Sequence, residues 1–248
     1  MQGKGFEHLD VREDVSLYLR VYKGLVDFMT TVIMIKTISF DLDDTLIKRT
    51  FADSVWLEGL PKIYAEEKNI DFEEAKQHLL KEYDEITDKR IEWYDISYWF
   101  TRFNLKHSWK KLLKNYKHVI EPYPETEDVL KRLHEKYDLI IISNAKKEFI
   151  DIELEESGLK KYFTHVFSST SDFHKVKKIA EFYLMICDKL KIKPNEMIHI
   201  GDHEEFDYNT PKKIGITSFY LNRNKTNKGK FTVSNLKEFE ERISKLSV

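Results

Sequence analysis

The sequence contains little of what several classes of protein require. It has one cysteine, Cys187, so no disulfide can form within the chain, and we expect a reducing compartment, the cytoplasm. No apolar run is long enough to span a bilayer, since the best candidate, residues 24–35, is short and is interrupted by Asp27. A cleavage pattern of small residues is also missing, so we expect neither a membrane span nor a signal peptide.

Neither sign of charge is in large excess. The 41 basic and 43 acidic side chains nearly cancel and leave a formal net charge of −2. No basic field therefore points to nucleic acid, and no acidic tail points to a basic partner. With 41% hydrophobic residues over 248 positions, the chain can bury a proper core, while its oligomeric state stays open.

What the sequence does contain, from Met34 onward, is an alternation of apolar strands and amphipathic helices. Continuous apolar strands separated by helices predict an α/β fold whose parallel sheet is covered on both faces. We predict strands at residues 34–40, 138–143, 164–169, 197–201 and 216–221. We predict helices at residues 125–136, 146–157, 174–190 and 207–214, and a last helix over residues 235–246 that Ser234 caps.

A long region of different character separates the first two strands. It is rich in aromatic residues, and its segment DFEEAKQHLLKEYDEI has apolar residues at helical spacing. We therefore predict a core, residues 34–49 and 122–248, and an inserted helical subdomain, residues 50–121. Residues 1–33 admit two interpretations, an amphipathic helix or an extension that precedes the domain.

Polar side chains follow the predicted strands, at the points where the strands end. Ligands of parallel α/β sheets bind at the carboxyl ends of the strands, so we expect these side chains to converge. In chain order they are Asp41 and Asp43, Ser143 and Asn144, Lys175, Lys177 and Lys178, and Asp202 and Asp207.

The residue types in this set suit phosphoryl transfer. Carboxylates that converge on one point repel each other unless a cation holds them, and an oxygen-rich site with few protein ligands suits Mg²⁺ and a phosphate. One carboxylate can attack phosphorus, and a second, two residues on, points to the same side of an extended chain. The second carboxylate can protonate the leaving oxygen and then activate water. A lysine and a serine hydroxyl would neutralise and orient the phosphoryl oxygens.

Taken together, these motifs resemble those of the haloacid dehalogenase superfamily of phosphohydrolases. The first motif of that family, DxDxT, is matched at residues 41–45, and the second, a Ser or Thr often followed by Asn, at residues 143–144. The fourth motif is matched by GDHEEFDYNTPKKIG, residues 201–215. The resemblance implies a Rossmann-like parallel sheet with a helical cap of the C1 type, formed by residues 50–121.

The resemblance also implies roles for the first motif. Asp41 would be the nucleophile and a Mg²⁺ ligand. Asp43 would be the general acid and base, and its backbone carbonyl would be offered to the metal. Thr45 would fix the turn and belong to the substrate-binding residues.

The other matching residues follow in the same way. Ser143 would hydrogen-bond the phosphoryl group with Asn144 nearby, and Asp202 would be the second carboxylate on Mg²⁺. Asp207 would act from the second shell or through water. The third motif is a lysine about 25 residues before the GD aspartate in relatives with a spacer of this length. That spacing selects Lys177, with Lys175 as the runner-up. The family often has proline after this lysine, where this chain has Lys178, so the choice among the three lysines stays open.

The predicted function is a Mg²⁺-dependent phosphatase that acts on a small phosphorylated metabolite, such as glyceraldehyde 3-phosphate or phosphoglycolate. Two alternatives stay open: a phosphomutase of the same family, and a non-catalytic Mg²⁺-binding interaction protein. Dehalogenase members lack an acid at the position of Asp43, so we do not expect dehalogenation. His199 and His203 fall on a predicted strand and a turn rather than at positions i and i+4 of a helix, and no cysteine or third histidine is nearby in the sequence. We therefore expect His199 packed beneath the sheet and His203 in a loop.

Overall fold

A six-stranded parallel sheet lies at the centre of the structure, a computed structural model that describes residues 34–224 and 229–246. Its strand order is β3-β2-β1-β4-β5-β6, so β1, which ends just before Asp41, lies between β2 and β4. The interpretations of residues 1–33 lie outside the described residues. The strands are β1 (Thr37–Phe40), β2 (Asp138–Ser143), β3 (His165–Ser168), β4 (Met197–Gly201), β5 (Thr217–Leu221) and β6 (Thr232–Val233).

Residues 50–119, which we call the helical insert, connect β1 to β2. An aromatic cluster around the fully buried Trp99 forms the interior of the insert, and Leu79 and Ile86 of its longest helix pack there. That helix starts where the side chain of Asp71 accepts a hydrogen bond from the N–H of Glu73. The helices are α1 (Thr50–Ser54), a π-helical turn (Val55–Gly59), α2 (Leu60–Lys68), α3 (Phe72–Ile86), a 3₁₀ turn (Ile91–Tyr94), α4 (Ile96–Arg102), α5 (Trp109–Tyr116) and a 3₁₀ turn (Lys117–Val119).

The remaining helices cover both faces of the sheet. Alternating residues of β2 belong to different apolar clusters: Ile141 packs with Val129 and Phe239, whereas Ile142 packs with Phe182 and Ile186. This alternation follows from the two-residue period of a strand, and it explains why both faces of the strand are apolar. These helices are α6 (Thr126–His134), α7 (Lys147–Glu156), α8 (Ser169–Phe173), α9 (Ala180–Leu190), α10 (Thr210–Lys213) and α11 (Leu236–Ser244).

The predicted α/β fold with a parallel sheet is confirmed. The sixth strand was not predicted, because only two residues of β6 pair with β5 and so short a segment has no periodicity. The predicted strand at residues 34–40 is shorter in the structure and begins at Thr37. Within the described ranges, no helix has the length and apolar composition that crossing a bilayer requires.

Two helix boundaries differ from the predictions. The helix predicted at residues 174–190 begins only at Ala180, because His174, the residue after α8, adopts the left-handed conformation (φ 52°) and a loop follows. The cap of the last helix is Asn235, whose side chain accepts a hydrogen bond from the N–H of Glu238. Ser234 instead donates its hydroxyl to the Glu238 carboxylate, so it is not the N-cap.

Residues 204–214 also differ in detail from the predicted helix at 207–214. A π-helical turn (Glu204–Asn209) precedes the short helix α10. The side chain of His203 caps that turn, since its Nδ1 accepts from the backbone N–H groups of Glu205 and Phe206. His203 therefore lies in a turn, and its imidazole is used for capping.

Candidate active site

The carboxyl ends of the central strands open into a cavity of about 280 Å³. Because β1, β2 and β4 are adjacent and parallel, their last residues and the loops that follow face the same space. Nearly all the polar residues that the sequence analysis placed at strand ends line this cavity: Asp41, Asp43, Ser143, Asn144, Lys177, Lys178, Asp202 and Asp207.

Asp41 and Lys178 form a buried ion pair in the wall of the cavity. The Nζ of Lys178 donates to Oδ1 of Asp41 over 2.6 Å, and the lysine side chain is only 2% exposed. Burial raises the pKa of Asp41 well above its usual value, although Lys178 opposes that shift. Thr45 is fully buried outside the cavity lining, and its hydroxyl donates to Oδ2 of Asp41 over 3.4 Å. The Asp41 carboxylate is thus held by one cation and one hydroxyl.

The two other lysines of the third motif are engaged elsewhere. The Nζ of Lys177 lies 2.7 Å from Oδ2 of Asp88 in the helical insert and 5.0 Å from the centre of the Phe206 ring. Lys175 pairs with Glu181 at 3.0 Å. The geometry therefore favours Lys178 over Lys177, and over the runner-up Lys175, as the lysine that contacts the predicted nucleophile.

The loop at residues 174–179 explains why spacing selected the neighbouring residue. The N–H of Ile179 donates to the carbonyl oxygen of Lys177 over 2.8 Å, which closes a three-residue turn centred on Lys178. This turn directs Lys178 inward while Lys177 faces the insert. Three lysines within four positions cannot be ranked by a spacing that is known only to within a residue or two.

Asp207 holds Lys178 from the other side. Its Oδ1 lies 2.5 Å from Nζ, and its Oδ2 accepts a hydrogen bond from the backbone N–H of His203 over 3.1 Å. Burial alone would raise the pKa of Asp207, but Lys178 and His199 outweigh burial and lower it. Gly201 makes this approach possible, because a Cβ on that residue would lie 2.4 Å from Cγ of Asp207.

Asp202 completes a cluster of carboxylates that fits a metal ion. One oxygen from each of Asp41, Asp202 and Asp207 lies within 4.8 Å of the others. Burial, reinforced by the charge of Asp207, raises the pKa of Asp202 to about 7. Three carboxylates around the single ammonium of Lys178 leave an excess of negative charge on hard oxygen donors. A divalent cation that prefers oxygen ligands would neutralise that excess.

Asp43 faces a second buried carboxyl group. That group belongs to Glu153 on α7, which is fully buried and close enough that each carboxyl shifts the pKa of the other. No N–H or O–H group in the described part of the chain donates to Oδ1 of Asp43 or to either carboxyl oxygen of Glu153. Burial raises the pKa of Asp43 to about 6 despite the nearby Arg49, and it raises the pKa of Glu153 well above its usual value. Burial and the like charge of its neighbour therefore both favour the protonated form of Glu153.

Glu153 is not among the site residues predicted from the sequence, although the helical pattern contains a signal for it. Phe149, Ile150 and Leu154 form the buried face of α7, and Glu153 lies on that same face. Glu and Asp are rarely fully buried unless they are paired. A carboxyl group on the apolar side of an amphipathic helix therefore indicates a partner or a function.

Ser143 and Asn144 stand at the end of β2 as predicted. The hydroxyl oxygen of Ser143 accepts from the N–H of Ala145 over 3.1 Å, and Oδ1 of Asn144 accepts from the hydroxyl of Ser169 over 3.1 Å. These bonds fix both side chains beside the Asp41 and Lys178 pair. Asp44, which lies between Asp43 and Thr45 in the sequence, adopts a left-handed conformation (φ 54°). Its side chain accepts a hydrogen bond from the N–H of Arg49, so its role is local to the turn.

The helical insert supplies an aromatic wall opposite the strand ends. Trp56, Trp93 and Tyr94 line the cavity from the insert. Trp56 stacks on Phe149 of α7 with ring centres 5.7 Å apart and an angle of 4° between the rings. Three aromatic residues of the insert therefore lie against the candidate site.

Two ion pairs connect the insert to the core beside the cavity. Lys146, which follows the Ser143-Asn144 motif, lies 3.0 Å from Asp95, and Lys177 lies 2.7 Å from Asp88. Both lysines belong to the core and both acids to the insert. The insert is therefore attached to the core by two ion pairs as well as by the chain connections.

Comparison with known proteins identifies the family of this fold and site. The family model described as a haloacid dehalogenase-like hydrolase matches residues 35–215. The chain therefore belongs to the haloacid dehalogenase-like hydrolases, and it is an enzyme of that hydrolase family.

Particular relatives within the family include phosphatases. The chain is 27% identical over 205 residues to the glyceraldehyde 3-phosphate phosphatase of Methanocaldococcus jannaschii, across 77% of this chain and 87% of that one. It is 30% identical over 101 residues to the phosphoglycolate phosphatase of Vibrio parahaemolyticus, across 40% and 43%. The crystal structure of a HAD phosphatase from Thermococcus onnurineus matches with a TM-score of 0.73 and 25% identity, across 84% of this chain and 97% of that one. A 2-haloacid dehalogenase from Pseudomonas syringae shares the fold, with a TM-score of 0.63 and 20% identity, across 86% and 99%.

Proposed function

We propose that this hydrolase is a Mg²⁺-dependent phosphatase that acts on a small phosphorylated metabolite. The observation that supports the proposal most is the position of the Lys178 ammonium, 2.6 Å from Asp41 and 2.5 Å from Asp207 in the wall of the cavity. A carboxylate that attacks a phosphoryl group must approach negative charge, and a buried cation against the nucleophile reduces that repulsion.

In the proposed first step, a carboxylate oxygen of Asp41 attacks phosphorus and the ester P–O bond breaks. Asp43 donates its proton to the leaving oxygen, which departs as the alcohol. In the second step, water attacks the phosphorus of the aspartyl phosphate while Asp43 takes a proton from that water. The bond between phosphorus and Asp41 breaks, which frees inorganic phosphate and restores both carboxyl groups.

The contacts of the neighbouring residues support a role for each. Lys178, in place of Lys177, would carry positive charge for the nucleophile and the phosphoryl oxygens. Ser143 would donate its hydroxyl to the phosphoryl group, with Asn144 beside it. Thr45 would act on Asp41 through its hydrogen bond and would not touch substrate, because it is fully buried.

The carboxylates of Asp41 and Asp202 and the backbone carbonyl of Asp43 would hold Mg²⁺. When bound, the ion would supply positive charge to the phosphoryl oxygens. Asp207 would not bind the ion directly; its carboxylate would hold Lys178 through Oδ1 and the backbone N–H of His203 through Oδ2.

The helical insert would be the C1 cap, and its two connections to the core would be the hinge. At Lys48–Thr50 and Glu121–Pro124 the two chain segments run side by side, and the N–H of Lys48 donates to the carbonyl of Glu121 over 2.9 Å. Paired segments of this kind would let the insert move as one body. Its closure over the cavity would exclude water from the reacting groups.

The substrate would be small, such as a triose phosphate or phosphoglycolate. The relatives named for glyceraldehyde 3-phosphate and phosphoglycolate support this class, and a cavity of about 280 Å³ suits a few-carbon phosphate better than a protein side chain on a large partner. The cytoplasmic location expected from the single cysteine stays a prediction.

A panel of phosphorylated metabolites tests the proposal directly. We expect phosphate release from one or more small phosphomonoesters with Mg²⁺, and none after chelation. Isomerisation of the substrate without release of phosphate would favour the phosphomutase instead. Folded protein that binds Mg²⁺ but turns over no phosphate ester would favour the non-catalytic interaction protein.

A further inference from the structure

A line of buried polar groups extends from the site into the sheet. His199 on β4 is fully buried and does not line the cavity, and its register partner on β1 is Ser39, also fully buried. The Oγ of Ser39 lies 2.8 Å from Nδ1 of the imidazole. The Nε2 lies 3.0 Å from Oδ1 of Asp207 and 3.0 Å from the hydroxyl of Tyr183. The imidazole is thus held at both of its nitrogens, on the side of Asp207 remote from the cavity.

The hydrogen-bond partners determine where one hydrogen of His199 lies. The hydroxyl of Tyr183 donates to the carbonyl oxygen of Phe206 over 2.9 Å, so toward the imidazole it can only accept. The Asp207 carboxylate, which pairs with the Lys178 ammonium, is also an acceptor. Both neighbours of Nε2 are therefore acceptors, and Nε2 must carry the hydrogen whatever the state of Nδ1.

The same oxygen of Asp207 receives both His199 and Lys178. Oδ1 lies 3.0 Å from Nε2 of His199 and 2.5 Å from Nζ of Lys178, and Oδ2 accepts from the backbone N–H of His203. With His199 in place, the carboxylate cannot rotate without losing a buried hydrogen bond. Without it, Oδ1 would be free to follow the flexible lysine side chain.

We propose that His199 is a positioning residue for phosphoryl transfer: its Nε2–H fixes the Asp207 carboxylate, which in turn holds the Lys178 ammonium against Asp41. The inference rests on the proposed function of Asp41 and Lys178. Outer groups that orient the groups of a site have large effects, because a displacement of about 1 Å at the reacting atoms is enough to lower a rate about 10²-fold.

Three variants separate positioning from a general role in packing. His199→Phe keeps a ring in the buried space but removes the donor, and His199→Gln offers an amide donor close to the position of Nε2. Phe239→Leu, a core substitution in the cluster around Phe40, controls for lost stability without contact to the site. We measure kcat and KM for the best substrate, the melting temperature, and the affinity for orthovanadate with Mg²⁺, a five-coordinate mimic of the phosphoryl group in transfer.

For His199→Phe we expect kcat and vanadate affinity to fall together, by about 10- to 100-fold, with KM nearly unchanged. His199→Gln should recover most of both losses. Phe239→Leu should lower the melting temperature and leave both values unchanged. In nitrogen-15 spectra of histidine-labelled wild type, the His199 Nε2 should show a directly bonded hydrogen.

Equal losses in the Gln and Phe variants, unchanged values in both, or an Nε2 without hydrogen would overturn the inference. Failure of the proposed function is a different result. If wild type hydrolyses no phosphate ester but binds vanadate, the vanadate affinities of the variants still decide the role of His199. If wild type neither hydrolyses a phosphate ester nor binds vanadate, the proposed function and this inference are both rejected.

Discussion

Lys178 and Asp41 are 137 positions apart in the sequence, yet Nζ of the lysine lies 2.6 Å from Oδ1 of the aspartate. Burial alone would lower the pKa of Lys178, but the carboxylates of Asp207 and Asp41 outweigh burial and hold it above its ordinary value. The ammonium therefore stays charged over the whole range in which a phosphatase works. It provides fixed positive charge beside the nucleophile without any need to gain or lose a proton.

Replacing Lys178 should lower kcat far more than replacing Lys177. We expect Lys178→Met to lower kcat by at least about 10²-fold, since a buried charge directed at the reacting group is lost. Lys177→Met should change kcat by no more than about fivefold, because a partly exposed ion pair contributes about 1 kcal/mol or less. Steady-state kinetics on the same substrate compare the two, with Lys175→Met as a further control. A larger loss of kcat for Lys177→Met than for Lys178→Met would instead support Lys177, the lysine that the spacing selected.

The stability of the metal-free protein should fall as the pH rises. Folded Asp202, with a pKa of about 7, holds a proton that the unfolded chain has released above about pH 4. Its contribution to the free energy of unfolding is therefore complete below about pH 4 and is lost as the pH rises through 7. Asp202→Asn should weaken this dependence, which thermal unfolding in chelator between pH 5 and pH 8 would measure. Mg²⁺ should stabilise wild type most at the higher pH and the variant much less.

Replacing Glu153 should stabilise the protein at high pH. Its raised pKa means that wild type loses stability as the pH rises, because a buried carboxyl must either keep its proton or be charged without a donor. Glu153→Gln has the same shape, cannot ionise and offers an N–H to Asp43. We expect it to unfold at a higher temperature than wild type at pH 8, with the difference shrinking toward pH 4. Glu155→Gln, on the exposed side of the same helix, should show no such trend.

The ion pair between Lys177 and Asp88 should act on substrate binding more than on chemistry. It joins the core to the insert beside the cavity, so its loss should favour the open arrangement of the proposed cap. We expect Lys177→Ala and Asp88→Ala to raise KM a few fold each, and the double variant to raise it by less than the product of the two. If the increases in KM of the two single variants multiply to give that of the double variant, the ion pair does not couple the insert to the core.

Much of the site follows from the sequence because it is built at strand ends. The apolar runs that become β1, β2 and β4 identify their last residues, and parallel pairing brings Asp41, Ser143 and Asp202 to one edge. These positions required no knowledge of loops. The helical character of the insert is also local, since it depends on apolar spacing within single segments.

What the sequence could not provide lies in irregular segments and in buried pairs between distant elements. The choice of Lys178 depends on a three-residue turn between α8 and α9, and no periodic pattern encodes such a turn. Glu153 is close to Asp43 and His199 is close to Asp207, and in each case the partner belongs to another part of the fold. Their burial is visible only once the sheet and helices are packed.

Asp41 should form a covalent bond to phosphorus during turnover, and this aspartyl phosphate can be trapped. The enzyme is mixed with substrate and Mg²⁺, quenched in acid within one turnover, and reduced with borohydride, which converts an acyl phosphate of aspartate to homoserine. Peptide mass spectrometry then locates the change. We expect homoserine at position 41 in wild type and none in Asp41→Asn, which should remain folded and release no phosphate. Homoserine at another aspartate, or phosphate release by Asp41→Asn, would contradict it.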